Sequence, residues 1–358
     1  MALTNGLMAV WLWITSNLRG ENMKAAYYKR QGPAHEVLQI GEVATPVAGP
    51  GEVRVRVYVS GLNPTDVKAR TGFSAPMTFE QVIPHQDGAG VIDAVGDGVP
   101  SSRVGERVWI YEAQHKRPYG TAAEFVVVPS PQAVRLPDEV SFDIGATLGI
   151  PVLTAYRCLF SDGDISGRRV LVHGGAGAVG NAAILLAKWA GAWVATTISS
   201  REQAEIAHSA GADLIINRRE ENVLDRITSV AGGAGIHLIV DVDLMENLNV
   251  NMACISPGGV ISSYATSTPT DTLSLPILKA MVHGCVFRFV FIYSVPAEAK
   301  AVAVEAVNRC LSEGGYRPTI GLRVDLNQIA TAHEAIESRK ILGRILVMVG
   351  ESAAYEAA

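Results

Sequence analysis

The segment Arg169-Val-Leu-Val-His-Gly-Gly-Ala-Gly-Ala-Val-Gly180 runs directly into Asn181-Ala-Ala-Ile-Leu-Leu-Ala-Lys188. Residues that favour a strand, a turn of glycine and alanine, and an unbroken helical pattern follow one another without a spare position. A chain written this way presents the N-terminus of a helix to an anion. Glycines at 174, 175, 177 and 180 let the backbone turn tightly and approach phosphate oxygens. The helix adds free N–H groups and the positive end of its dipole. A glycine-rich turn alone is a weak signal, since many strand-to-helix turns bind nothing. Here alternating strands and helices continue for more than 100 residues beyond it, the context that a dinucleotide-binding unit requires.

The texture of the chain changes once. From Met23 to about Glu139 it reads as short strands punctuated by Gly and Pro: Val53–Val59, Gly88–Gly96, Arg107–Tyr111 and Ala123–Val128. Regular strands with glycine breaks point to a small antiparallel, barrel-like domain. From about Phe142 buried strands alternate with helices. The expected strands are Val170–Val172, Trp193–Ile198, Asp213–Asn217, His237–Asp241, Gly259–Ser263 and Val286–Ile292, with helices such as Arg201–Ala210 and Glu220–Val230 between them. That is the pattern of a doubly wound parallel sheet. The tail ends in the strand Arg344–Val349, which is expected to return to the first domain. The expected division is an extension at 1–22, a first domain made of 23–139 and 314–350, and a dinucleotide-binding domain at 140–313.

A length of 358 residues favours two domains over one core, and 48% hydrophobic with 18% charged residues describes a packed globular protein. The net charge of −5 gives no reason to expect nucleic acid, which usually demands a basic face. The four cysteines, at 158, 254, 285 and 310, form no CxxC pair and no cluster with histidine. Neither a zinc site nor a disulfide framework is indicated, and a reducing cytoplasm fits best. The apolar run Leu7–Ile14 is shorter than the ~20 residues of a membrane span and lacks the charged start of a secretory signal. It is read as an upstream start or a terminal extension.

The end of the second strand of such a sheet meets the adenosine ribose, and an acidic residue there bonds the 2′-hydroxyl of NAD. This chain instead has Thr197-Ile198-Ser199-Ser200-Arg201, with Arg218 and Arg219 after the third strand. Hydroxyls and guanidinium groups suit a 2′-phosphate, so NADPH is the expected cofactor. The alternative is that these arginines are ordinary solvated residues at strand ends.

Taken with the blocks Gly61-Leu-Asn-Pro-Thr-Asp66, Asp87–Gly96, Val104-Gly-Glu-Arg-Val108, Gly149–Tyr156, His173–Gly180 and Asn217–Asn222, the chain resembles the zinc-independent medium-chain dehydrogenase/reductase group. Within it, the resemblance is to the quinone oxidoreductase, or zeta-crystallin-like, branch, from about Met23 to Gly350. It implies a Rossmann-type doubly wound sheet plus a GroES-like, mostly β barrel domain, and a hydride passed from NADPH to a quinone. Zinc-dependent cousins place a cysteine where Asn63 stands and a Gly-His-Glu near Pro84-His85-Gln86-Asp87, so no metal is expected. His85 is read as a packed loop residue.

By the same resemblance the catalytic residues are Asn63, Asp66 and Thr154. Asn63 and Thr154 lie beside the nicotinamide and Asp66 orients the Asn63 loop; capping the Asn-Pro turn is an equal reading for Asn63. Tyr156 is read as packing. Ala176, Gly177, Ala178 and Val179 match the phosphate loop. Ser199 and Arg218 match the adenosine end, where the strand-end reading also places Ser200 and Arg201, and Asn247 matches the middle of the cofactor. Tyr264, Ala265, Thr266 and Ser267 match a further cofactor-facing stretch, Phe289 and Phe291 the nicotinamide end, and Arg339 a contact to the 2′-phosphate.

Three departures stand out: Lys68 replaces a tyrosine, another tyrosine is lost near Ser74, and Gln203 replaces a lysine. Losing aromatics matters because flat quinones stack on rings. Reduction of an activated C=C bond, as in a 2-alkenal or enoyl thioester, is the alternative reaction. It needs a proton donor, and no pocket tyrosine is evident in the sequence. A non-catalytic NADPH-binding sensor is the alternative of a different kind. A homodimer is expected, because the apolar Val286–Ile292 would otherwise leave a bare sheet edge.

Overall fold

The computed structural model describes residues 22–350 apart from 74 and 232–234. The Leu7–Ile14 run and Ser74 lie outside the described residues.

The first lobe opens with β1 (Asn22–Tyr27) and β2 (Gln39–Ala44), an antiparallel pair, and continues with β3 (Glu52–Leu62) and the helix α1 (Pro64–Thr71). β4 (Asp87–Val95), β5 (Arg107–Ile110), β6 (Phe125–Pro129) and β7 (Ala133–Arg135) follow. β3 shows why the alternating sequence folds this way. Val53, Val55, Val57 and Val59 turn inward and are buried, while Arg54 and Arg56 turn outward over the ring of Phe125. Such alternation is what a strand with one buried face demands. Each buried valine contributes roughly 1.5–3 kcal/mol of transfer free energy.

The second lobe begins with α2 (Gly149–Phe160), β8 (Arg169–His173), α3 (Ala178–Trp189), β9 (Trp193–Ile198) and α4 (Arg201–Ser209). It continues with β10 (Leu214–Asn217), α5 (Val223–Ala231), β11 (Ile236–Asp241), α6 (Leu244–Cys254), β12 (Ile255–Ser263), α7 (Ile277–His283), β13 (Val286–Phe289) and α8 (Ala297–Ser312). Its six strands are parallel in the order β10-β9-β8-β11-β12-β13. The order reverses between β8 and β11, and ligands of such sheets bind in the crevice beyond the strand ends at that point. α3 is buried on almost every side, Ala182 through Ala187 included, because it packs between the sheet and α2. That explains its uniformly apolar sequence.

The chain then returns to the first lobe as β14 (Ile320–Asp325), α9 (Ile329–Ser338) and β15 (Arg344–Met348). β15 inserts between β14 and β3, in a sheet ordered β14-β15-β3-β4-β5-β7 with β6 also on β3. The expected edge strand Val286–Ile292 is shorter than the sequence suggests. Its partner β12 stops at Ser263, so β13 stops at Phe289 and the chain turns at Ile292–Ser294.

Candidate active site

At the phosphate end, Gly177 N–H bonds Gly174 O at 2.9 Å, and the first helical bond of α3 is Asn181 N–H to Gly177 O at 2.8 Å. The N–H groups of Ala178, Val179 and Gly180 therefore precede the helical ladder and are left for an anion. A Cβ on Gly180 would stand 2.2 Å from Gly174 O, so this turn admits only glycine. Ala176 is buried beneath the loop and Gly177 is exposed on it.

A buried network fixes the loop from below. Asn251 donates to the Asp241 carboxylate, so its oxygen accepts from His173 Nε2 at 2.8 Å. His173 Nδ1 is then an acceptor for the Thr197 hydroxyl at 3.2 Å, and Thr197 Oγ1 accepts from Gly174 N–H at 3.2 Å. Burial pushes His173 down, against the pull of Asp241, which keeps the imidazole neutral for this arrangement.

At the end expected to face adenosine, Ser199 donates through both N–H and hydroxyl to Gln203 Oε1, at 2.9 and 3.0 Å. Ser200 Oγ caps α4 by accepting from Gln203 N–H. Gln203, the departure from a lysine, is thus the residue that shapes this loop. Arg201 is solvated, in a long 3.8 Å contact with Glu205. Arg218 follows β10 with its N–H on Ile198 O, and among the described residues no carboxylate pairs with its guanidinium. Asn247 donates to Asp241 Oδ1 at 2.9 Å.

Along the middle of the cleft, Tyr264 bonds Asp241 O through its N–H and packs its ring on the core. Ala265, Thr266, Ser267 and Phe289 line one cavity beside Asp243 and Asp271. Asp271 organises that wall by accepting from the hydroxyls of Thr268 and Thr266 and from the N–H groups of Ser267 and Thr268. These bonds hold its carboxyl far below the usual range. Lys68 crosses from α1 to Thr266 O at 3.0 Å and lies over Phe73. Arg339 caps α9 in a left-handed conformation (φ 54°) on the first lobe, where its charge acts on Lys68. It is therefore on the lobe opposite the loops that carry Ser199 and Arg218.

The end expected to face the nicotinamide is a closed polar knot. Asn63 precedes α1, where its N–H bonds Asp66 Oδ2 at 2.8 Å. Its side-chain nitrogen donates to Asp87 Oδ2 at 2.7 Å, and its oxygen accepts from Arg344 Nη1 at 3.0 Å. Both oxygens of Asp87 also accept the N–H of Ile150, at 2.9 and 3.0 Å, in the first turn of α2. Gly149 makes the room, since a Cβ there would stand 2.0 Å from Asp87 Oδ1.

Burial raises Asp87 to about 7, against the opposing pull of Arg344, Asn63 and Ile150. Burial and then the charge of Asp87 push Asp66 well above the carboxylate range. Arg344 is buried, and its Nε and Nη2 have no hydrogen-bond partner among the described residues. Thr154 lies one turn further along α2 and bonds Ile150 O at 2.6 Å. Tyr156 stacks on Phe160.

Sequence reasoning missed several residues here. Asp87 and Arg344 lie inside quoted segments, and an arginine heading an apolar strand was the available signal. His85 is not alone: its Nε2 meets His333 Nε2 at 3.1 Å and its Nδ1 meets Ser60 Oγ at 2.8 Å, in a left-handed conformation (φ 80°). Among the described residues no three His, Cys, Asp or Glu side chains gather as metal ligands do. Tyr293 brings its hydroxyl to within 3.3 Å of Thr65 Oγ1, from the turn after β13. The reacting end does contain a tyrosine, then, supplied by an element too distant in sequence to be recognised.

A nicotinamide dinucleotide fits these residues. The helix tip offers N–H groups above a turn that excludes a Cβ, and among the described residues Arg218 has no carboxylate partner and the nitrogens Nε and Nη2 of Arg344 have no hydrogen-bond partner. Residues 49–138 match the alcohol dehydrogenase GroES-like domain family, and residues 178–309 match the zinc-binding dehydrogenase family. Human quinone oxidoreductase is 31% identical over 308 residues, covering 84% of this chain and 90% of that protein. A crystal structure of an NAD-dependent alcohol dehydrogenase superposes with a TM-score of 0.81 at 27% identity, over 92% of this chain and 100% of the other. A mycobacterial protein complexed with NADPH gives 0.79 at 25%, over 91% and 99%.

The two-lobed fold and its cleft are those of a dinucleotide-dependent oxidoreductase. The chain belongs to the quinone oxidoreductase family of the medium-chain dehydrogenase/reductase superfamily.

Proposed function

We propose that the protein is a metal-independent reductase that passes a hydride from NADPH to a quinone or a similarly electron-poor acceptor. When bound, the nicotinamide supplies the hydride and its electron pair. The chain's residues bind the cofactor, align the acceptor and exclude water. The observation that carries this reading is the donor set at the reacting end. Asn63, Asp87 and Arg344 are committed to one another, with no thiolate and no free imidazole among them. Such a set offers zinc neither thiolate nor imidazole, which supports an acceptor that takes a hydride without a Lewis acid. Arg218, which has no carboxylate partner among the described residues, favours the 2′-phosphate of NADPH over NAD(H).

Tyr293 gives support to the second reaction, reduction of an activated C=C bond, because it places a phenol near Asn63 and Asp66.

We further propose a homodimer in a reducing cytoplasm. The edge strand β13 carries exposed Phe289, and the neighbouring α7 exposes Ile277, Leu278, Met281 and Val282, an apolar face that a second copy would cover. All four cysteines are free.

Following the absorbance of NADPH and NADH against a panel of quinones and alkenals, with and without a chelator, tests the reading. NADPH oxidation by quinones, faster than NADH oxidation and indifferent to chelator, is expected. Tight NADPH binding with no acceptor oxidising it would replace this reading with a sensor.

A further inference from the structure

Tyr293 belongs to the turn Ile292–Ser294 of the second lobe, yet its hydroxyl reaches Thr65 of α1 at 3.3 Å. Thr65 sits in the first turn of α1 beside Asp66, and the phenol is near enough for Asp66 and Asp87 to act on it electrostatically. The ring is held from both lobes. It stacks on His115 of the first lobe, with centroids 4.6 Å apart, and meets the edge of Phe291 at 5.1 Å. The hydroxyl is held more loosely, since 3.3 Å is long for an O–H···O bond, which usually measures about 2.7–2.8 Å. A fixed ring with a loosely held hydroxyl can turn its O–H to a new partner without repacking. Burial and the charges of Asp66 and Asp87 keep the proton on the phenol.

The groups expected beside the acceptor are already committed, and the Arg344 N–H groups left over are buried. The Asn63 amide is bound to Asp87 and Arg344, the Thr154 hydroxyl to Ile150 O, and Asp87 to Asn63 and Ile150.

We propose that Tyr293 is a catalytic residue that donates its hydrogen bond to the acceptor's carbonyl oxygen, leaving Thr65 to do so. The inference rests on the hydride-transfer reading above and extends it to the acceptor: a quinone or enone whose oxygen points at the turn after β13. As the hydride adds to the acceptor carbon, the conjugated π pair moves onto that oxygen. The dinucleotide is left oxidised, and the oxygen takes its proton from water as product leaves. A donor aimed where charge develops strengthens as the reaction proceeds.

The test compares the full-length protein with Tyr293→Phe and Thr65→Val. Tyr293→Phe is expected to lower kcat/KM for quinone and enone by ~100-fold, with the melting temperature and the NADPH dissociation constant unchanged. It should also weaken binding of para-nitrophenolate to the protein by about tenfold, a readout that needs no turnover. Thr65→Val removes only the resting partner and should keep kcat within a few-fold of the native protein. Native activity in Tyr293→Phe, or equal losses in the two variants, would overturn the role and leave hydride transfer standing. A native protein that reduces none of the acceptors would sink both.

Discussion

Lys300 on α8 and Glu112 in the first lobe form an ion pair at 2.6 Å with both side chains at least nine-tenths buried. The contact is electrostatic rather than a well-aligned hydrogen bond, since Glu112 Oε1 has no partner of hydrogen-bond geometry. It ties the lobes beside the cleft, along with Trp109 Nε1 to Asn308 and Lys68 to Thr266.

Removing one partner of this pair leaves the other charge stranded. Lys300→Met should therefore destabilise the protein by roughly 3–5 kcal/mol, whereas pairing it with Glu112→Gln should recover most of the loss. Urea denaturation of the two variants measures this. A double variant no better than the single one would show that lost packing, not the stranded carboxylate, is the cause.

Acid should destabilise the fold through the histidine pair. Burial holds His85 at about 3 and His333 well below 6.5 in the native state. The unfolded chain, with histidines near 6.5, therefore binds more protons below that pH. Stability is fully present above 6.5 and is lost as pH falls toward 3, by ~1.4 kcal/mol per pH unit for each histidine. His85→Gly suits the left-handed backbone at this position and should flatten the slope even if it lowers stability at neutral pH. Chemical denaturation at several pH values measures the slope.

Asp66 acts in the opposite sense. Its native pKa is raised, so its share of stability is complete below 3.8 and is lost as pH rises through the native value. Asp66→Asn keeps an acceptor for Asn63 N–H and carries no charge. Relative to the native protein it should gain stability as pH rises and match it in acid, and thermal melts across pH would reveal an equal offset everywhere if the idea is wrong.

Arg218→Ala tests cofactor choice. Losing a charge-assisted contact to a phosphate removes about 1.5–3 kcal/mol, so KM for NADPH should rise about 10- to 100-fold. KM for NADH should hardly move. Equal changes in both would place the 2′-phosphate elsewhere.

The parallel sheet was legible because continuous apolar strands, long helical patterns and the turn at 174–180 all agree locally. β3 was legible from alternation alone. The reacting end was legible only in part. Asn63 and Asp66 are local to one another, so their neighbourhood can be read along the chain. Asp87, Ile150, Tyr293 and Arg344 reach Asn63 or its neighbours from four separate stretches, and no periodicity reports such a meeting. The end of β13 escaped for a similar reason: the apolar run continues to Ile292, but the partner strand that would pair with it does not. His85 looked solitary because His333, 248 positions away, is its partner.

The insertion of β15 between β14 and β3 governs how the molecule comes into being. A ribosome delivers every strand of the second sheet before it delivers Arg344. The phosphate-binding half can thus be complete while the nascent first half still lacks a central strand and the guanidinium beside Asn63. C-terminal truncation before residue 344 should leave a protein able to hold an anion at its helix tip and unable to assemble the opposite end.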